Sequence, residues 1–240
     1  MLNLIAEKEL FKQGYKFVAG IDEAGRGPLA GSVVAACVVC DEKFKISDKI
    51  KSIKDSKKLT AKKRDELFTV IQEEFTQHQK KVFDKVGGAN RSVLVGGLMS
   101  STSDTFGAGF TEVGVGICDH QTIDRINILQ ASFLAMKKAI SALKQKPDFI
   151  MLDGGFKIPN CSYAQRNIIK GDALIFSIAT ASIIAKVTRD RIMLEAHKIY
   201  PNYGFDKHKG YGTKMHLERL RKYGPCPIHR TSFKPVKLAS

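Results

Sequence analysis

The sequence predicts an α/β fold, a three-layer sandwich with helices on both faces of a central sheet and further helices added at one side. Three observations carry this. Short apolar, β-branched runs alternate with helix-period segments along the chain. Of the 240 residues 43% are hydrophobic, enough to bury a sizeable core without disulfides or a structural metal. No internal repeat occurs, and no apolar run approaches the roughly 18–20 residues of a membrane span.

The elements follow in order. The opening stretch MLNLIAEKELFKQGYKF breaks its apolar residues with charges, which argues against a signal peptide. Phe17 to Ile21 is a short strand leading into Asp22-Glu23, and Val33 to Cys40 is a buried strand by its valine content. Asp41 to Lys58 reads as a lysine-rich loop. Thr60 caps a helix over about Ala61 to Gln77, with Leu67, Val70, Ile71 and Phe75 on one face. Residues Gln79 to Gly109 hold two Gly-Gly pairs and the run Ser100-Ser101-Thr102-Ser103, the composition of an inserted loop. Val113 to Cys118 is a strand, and Asp119 caps one helix to about Lys144. Phe149 to Leu152 and Asn167 to Lys170 are short strands. A long helix runs from about Leu174 to Ile199 and stops at Pro201. A last helix, about Thr213 to Lys222, precedes a basic tail. The expected division is a catalytic domain over 1–200 and a helical extension over 201–240.

The chain carries a formal charge of +15, which points to a polyanion as partner, nucleic acid before membrane. The cysteines are five and scattered (Cys37, Cys40, Cys118, Cys161, Cys226), as expected for reduced thiols in the cytoplasm. Cys37 and Cys40 form a C-x-x-C inside an apolar strand, where a separation of three puts them on opposite faces rather than on one metal. The six histidines have no metal-ligand spacing. No P-loop is present, so nucleoside triphosphate chemistry is unsupported.

Three apolar strands run into acids: Asp22-Glu23, Asp153 and Asp172. A lone Asp-Gly is commonly only a turn, but strand ends of an α/β sheet share one rim, where sites are built. Carboxylates gathered there repel and demand positive charge, from Lys and Arg or from divalent cations. All-oxygen ligation favours Mg²⁺ or Mn²⁺. Acids on a metal inside a basic protein suit phosphodiester chemistry. Glu23 poses a geometric question, since neighbours on a straight strand point to opposite faces. Either the strand bends near Gly25 or the Glu23 carbonyl is the ligand.

The run Ile21-Asp22-Glu23-Ala24-Gly25-Arg26-Gly27-Pro28-Leu29-Ala30-Gly31 resembles the N-terminal signature of the bacterial ribonuclease HII family, the type-2 ribonucleases H. The likeness continues in order through Asp55-Ser56-Lys57-Lys58-Leu59, Ile123-Asp124-Arg125-Ile126-Asn127, Leu152-Asp153-Gly154, Lys170-Gly171-Asp172, Ala181 to Asp190, His208-Lys209-Gly210-Tyr211 and Arg230-Thr231-Ser232-Phe233. It covers nearly the whole chain apart from the inserted segment.

The resemblance implies a ribonuclease H-like α/β/α fold with a mixed central sheet and a small helical C-terminal extension. It also implies a metal-dependent endonuclease acting on RNA–DNA hybrids and on single ribonucleotides in duplex DNA. The cut would fall 5′ to the ribonucleotide and leave 3′-hydroxyl and 5′-phosphate ends, as used in ribonucleotide removal. By motif, Asp22, Glu23, Asp153 and Asp172 bind the metal, with two ions expected on the scissile phosphate. Gly25, Arg26, Gly27 and Tyr211 sense the ribose at the RNA–DNA junction. This agrees with the physics, because only the 2′-hydroxyl separates RNA from DNA locally and a glycine-flanked backbone can approach it. Where the family usually has Asn after Asp-Gly, this chain has Gly155. The relative ribonuclease HIII carries an extra N-terminal domain, for which the 21 residues before Asp22 leave no room.

Lys57, Lys58, Lys186, Arg189, His208 and Lys209 flank these motifs and are candidate phosphate contacts. Asp190, four residues after Lys186, is explained by an ion pair on a helix. His229 is expected at the surface or facing substrate. The protein is expected to act as a monomer; the sequence leaves a replication clamp open as a partner. Two rivals remain: a catalytically silent RNA- or hybrid-binding module, which needs only charge, and another ribonuclease H-like nuclease, such as a junction resolvase, which ignores ribose.

Overall fold

The computed structural model describes residues 2–53, 59–76 and 110–239. Lys57 and Lys58, and the inserted segment from Gln79 to Gly109, lie outside the described residues. A five-stranded mixed sheet occupies the centre, in the order β3-β2-β1-β4-β5. β1 (Phe17–Ala24) pairs antiparallel with β2 (Val33–Asp41), and β2 antiparallel with β3 (Phe110–Cys118). On the other side β1 pairs parallel with β4 (Phe149–Asp153), and β4 parallel with β5 (Ala164–Ile168). β5 lies just ahead of the expected span, because its edge position leaves it half-polar and without a strong apolar signal.

Helices cover both faces, as expected. α4 (Ile128–Ala142) packs on one face with Ala19, Ile21, Ala35 and Cys37. α6 (Phe176–Ile199) and α2 (Ala61–Thr76) pack on the other with Val34, Ala36, Val38 and Cys40. The two cysteines therefore face opposite layers, and burial pushes both thiols up. Glycines set how closely the layers approach. A Cβ on Gly116 would stand 2.0 Å from the Ala135 carbonyl oxygen in α4, and one on Gly20 would stand 2.3 Å from the carbonyl carbon of Ser177 in α6.

The helix expected after Asp119 is two helices. Asp119 does cap α3 (His120–Ile126), accepting from the Thr122 N–H at 2.7 Å. Asn127 then breaks the chain at φ 65° and caps α4, accepting from Leu129 and Gln130 at 3.0 and 3.1 Å. Asparagine tolerates this left-handed φ and supplies the cap at once, so apolar spacing alone does not reveal the break. The long helix expected from about Leu174 to Ile199 is α6, starting at Phe176; a single turn, α5 (Gly171–Leu174), and extended Ile175 precede it.

A short helix also forms ahead of the first strand. α1 (Ile5–Lys12) packs beside the sheet and buries Glu7, whose carboxylate accepts the Ser177 N–H at 3.0 Å at the start of α6. Burial raises this carboxyl. A buried acid thus satisfies an open helix N-terminus.

The chain ends in a 3₁₀ turn (Pro201–Tyr203), α7 (Phe205–His208), α8 (Lys214–Tyr223) and α9 (Lys234–Lys237). This region is laced to the β1–β2 loop. Leu29 N–H donates to Gly210 at 2.8 Å, Gly31 N–H to Ile228 at 2.9 Å, and Arg230 N–H to Leu29 at 2.8 Å. No helix among the described residues is long and apolar enough to cross a membrane.

Candidate active site

The parallel pairing of β1 and β4 builds the site. Ile21 sits opposite Leu152, so the next residues, Asp22 and Asp153, emerge side by side at the same rim. Asp153 is in turn paired with Ile168 of β5. Just beyond, Lys170 takes a left-handed φ of 58° and turns the chain back, placing Asp172 in α5. Asp172 N–H donates to Asp153 Oδ1 at 3.4 Å. Gly171 packs closely here: a Cβ would stand 2.7 Å from the tip of the Ile178 side chain and 3.4 Å from the Asp153 carboxylate.

Three of the four expected acids converge. Asp22, Asp153 and Asp172 each offer an oxygen, all within 4.8 Å of one another. Asp22 and Asp172 are buried. Burial first, then the charges of Glu23 and Asp153, holds the Asp22 carboxyl well above the usual range, against a hydrogen bond from Ser182. The donors are all hard oxygens, partly desolvated and mutually repelling, which fits a divalent cation.

Glu23 stands beside this group. It keeps its strand register opposite Ala35, its N–H donates to Asp22 Oδ1 at 2.7 Å, and its carboxylate pairs with Arg26 at 3.2 Å. Burial raises its carboxyl while Arg26 lowers it.

A cleft of about 260 Å³ opens over the acids, lined among others by Gly25, Arg26, Gly27, Arg64, Ser182, Lys186 and Tyr211. Gly25 has φ 101° and abuts the Arg189 side chain, so only glycine fits. A Cβ on Gly27 would lie 3.8 Å from the Tyr211 ring, so the two face each other. Lys186 sits 5.5 Å from the ring centroid of Tyr211 and pairs with Asp190 at 2.7 Å, the ion pair expected from their spacing. Arg64 and Ser182 were not singled out from sequence. Arg64 looks like its lysine neighbours on α2, and Ser182 is one small residue among many on α6.

Several expected contacts are corrected. Arg189 does not offer itself to phosphate: it is fully buried and donates to the carbonyls of Ser32, Ala30 and Lys209 at 3.0, 3.1 and 2.9 Å. Lys209 is folded back, with its ammonium on the Asp206 carbonyl. His208 is buried, with Nε2 on the Tyr203 carbonyl at 2.8 Å and Nδ1 accepting from Gly210 at 3.2 Å. His229 is also buried rather than surface-facing. Arg189 is held by carbonyls far along the chain and His208 by backbone groups a few residues away, and such partners offset the cost of burying them.

His208, His216 and His229 form one buried stack. His216 Nδ1 donates to the Tyr211 carbonyl at 2.9 Å, and its Nε2 meets His229 Nε2 at 3.0 Å. His229 Nδ1 accepts from Cys226 N–H at 2.9 Å. Neutral rings satisfy every contact, whereas protonation would set two N–H groups against each other. Burial lowers His216 and His229 to about 4, and it also lowers His208. For a histidine lowered from 6.5, the folded state binds fewer protons than the unfolded. Stability is therefore complete above pH 6.5 and is lost as pH falls toward 4. The expected loss is on the order of 3 kcal/mol, reduced by coupling between the rings. Hydrogen exchange at pH 7 and pH 4.5 checks it: amides of residues 203–230 should lose protection before the sheet, and equal loss everywhere would refute a local effect.

The family model described as Ribonuclease HII matches residues 19–236. A ribonuclease HII of Caldicellulosiruptor bescii is 48% identical over 227 residues, covering 95% of this chain and 91% of that protein. One from Clostridioides difficile is 46% identical over 229 residues, covering 95% of this chain and 74% of the relative. Among solved structures, the ribonuclease H2 of Pyrococcus horikoshii OT3 superimposes with a TM-score of 0.63 at 27% identity, over 93% of this chain and 96% of that one.

Proposed function

Because the chain belongs to the ribonuclease HII family, and so is a divalent-metal-dependent endoribonuclease acting on RNA–DNA hybrids, we propose that its substrates include single ribonucleotides embedded in duplex DNA. The proposed cut lies 5′ to the ribonucleotide and leaves 3′-hydroxyl and 5′-phosphate ends. The observation that carries this is the junction of two features in one cleft: the acid cluster of Asp22, Asp153 and Asp172, and the glycine-flanked backbone of Gly25 to Gly27 facing Tyr211.

In this reading Asp22, Asp153 and Asp172 hold the metal, with Glu23 as a fourth carboxylate at the cleft wall. Mg²⁺ or Mn²⁺ held by these acids would supply activation of the attacking water and charge stabilisation at the leaving 3′-oxygen. Ser182 orients Asp22 through its hydrogen bond. Arg26, Arg64 and Lys186 line the cleft and hold backbone phosphates; such contacts position the duplex without reading bases. Tyr211 stacks on a sugar or base, and the Gly25–Gly27 backbone reads the 2′-hydroxyl. The protein acts as a monomer, with residues from 201 on forming a C-terminal extension to the catalytic domain.

A labelled DNA duplex with one ribonucleotide tests the proposal. One cut 5′ to the ribonucleotide is expected with Mg²⁺ or Mn²⁺, and none with EDTA or on all-DNA duplex. Cleavage of hybrid but not of the single-ribonucleotide duplex would sink the finer reading.

A further inference from the structure

Six carbonyls of the segment from Gly25 to Ser32 accept hydrogen bonds from only two side chains. Arg230 is fully buried, and its guanidinium donates to Gly25 at 2.6 Å, Arg26 at 3.0 Å, Pro28 at 2.7 Å and Gly31 at 2.9 Å. Arg189, equally buried, takes Ala30 and Ser32. Arg230 comes from the C-terminal segment and Arg189 from α6, yet both terminate on this one loop. A planar guanidinium with five divergent N–H groups can satisfy such a spread of acceptors, and an ammonium cannot reach them with the same geometry.

The consequence follows from peptide geometry. In a trans peptide the C=O and the following N–H point in opposite directions, and the structure contains no cis peptide among the described residues. With the carbonyls of Gly25 and Arg26 drawn to Arg230, the N–H groups of Arg26 and Gly27 point away from it, and these residues line the cleft. An outward N–H is the donor that a ribose 2′-hydroxyl oxygen can accept from, and that deoxyribose cannot use.

We infer that Arg230, assisted by Arg189, is a positioning residue for ribose discrimination: it fixes the peptide orientation that presents the Arg26 and Gly27 amides to the 2′-hydroxyl. This rests on the reading of Gly25 to Gly27 as the ribose sensor. It gives the C-terminal segment a part in specificity, although Arg230 never touches substrate. The same peptides would be free to rotate without it, and a donor that must be ordered on binding contributes less affinity than one already fixed.

The test compares affinities for two duplexes in the absence of cleavage, with Ca²⁺ as the divalent ion: one with a single ribonucleotide and the same sequence as all DNA. Arg230→Met should lower the ribonucleotide-to-DNA affinity ratio on the order of tenfold, the size of one well-placed hydrogen bond. Affinity for all-DNA duplex should change less than about twofold, because phosphate contacts supply it. Mere destabilisation would remove active protein equally for both duplexes and leave the ratio at the wild-type value, which would overturn the inference. Should Arg230→Met fail to fold, Arg230→Lys keeps the charge and is expected to give an intermediate ratio; a wild-type ratio there would overturn the inference, because an ammonium cannot hold the four carbonyls. Gly27→Ala, whose added methyl meets only ordinary contact with Tyr211, probes the sensor itself. A lowered ratio in Gly27→Ala with a wild-type ratio in Arg230→Met overturns the role of Arg230 alone. An unchanged ratio in Gly27→Ala overturns the sensor reading and the inference with it.

Discussion

Asp153→Asn is expected to lower hybrid cleavage at saturating Mg²⁺ or Mn²⁺ by about a thousandfold, with little change in fold. Asp153 occupies the middle of the acid cluster. It stands beside Asp22 by strand register, accepts from the Asp172 N–H at 3.4 Å, and contributes to the charge felt by both Asp22 and Glu23. Asparagine keeps the shape and removes one anionic ligand, so the variant should still bind the duplex. Rates measured against metal concentration, together with a binding isotherm, separate these effects. Activity within tenfold of wild type would remove Asp153 from the site. A companion result is expected at Asp22. With metal removed by EDTA, the buried Asp22 carboxylate faces Glu23 and Asp153 without a counter-ion. Asp22→Asn should therefore raise the melting temperature of the apo-protein by a few degrees, equivalent to about 1–2 kcal/mol, while abolishing cleavage.

Gly20→Ala carries the second large effect, on fold and activity together. Its methyl would sit 2.3 Å from the Ser177 carbonyl carbon and 2.4 Å from the Ile178 nitrogen, both backbone atoms that cannot swing aside. Either α6 lifts from β1 or the strand shifts. The expected cost is about 3 kcal/mol or more, a fall in melting temperature of roughly 6–12 °C for a chain of this size. Because α6 also carries Ser182 to Asp22, and its first turns follow directly on Asp172, the remaining folded protein should cleave at least tenfold more slowly. Thermal melts and cleavage below the melting temperature check the two parts separately. A variant with wild-type stability would mean that the helix does not sit this close to the strand.

Sequence patterns made the acids legible because each acid is encoded locally. Asp22 and Asp153 directly follow short apolar runs, and parallel neighbours in an α/β sheet present their ends at one rim. The buried strand Val33 to Cys40, the caps Asp119 and Thr60, and the opposite facing of Cys37 and Cys40 were readable for the same reason. Period and capping are properties of a few consecutive residues.

The basic residues could not be read in this way. Lys186, Arg189 and His208 are alike from sequence in flanking the site, yet Lys186 lines the cleft while the other two are buried struts. His208 is held by backbone groups of its own turn, and the arginines by partners far along the chain. Arg189 meets Ser32 across 157 residues, and Arg230 meets Gly25 across 205. Glu23 likewise answers to Arg26 as well as to the acid cluster, and the α3–α4 break hangs on a single asparagine conformation. By itself the sequence determined the chemistry available to this protein, namely carboxylates at strand ends within a basic chain. Only the tertiary structure decided which charges face the substrate and which hold the backbone that does. A charged side chain can be buried only where distant carbonyls replace its lost water, and the supply of those carbonyls is a property of the assembled fold.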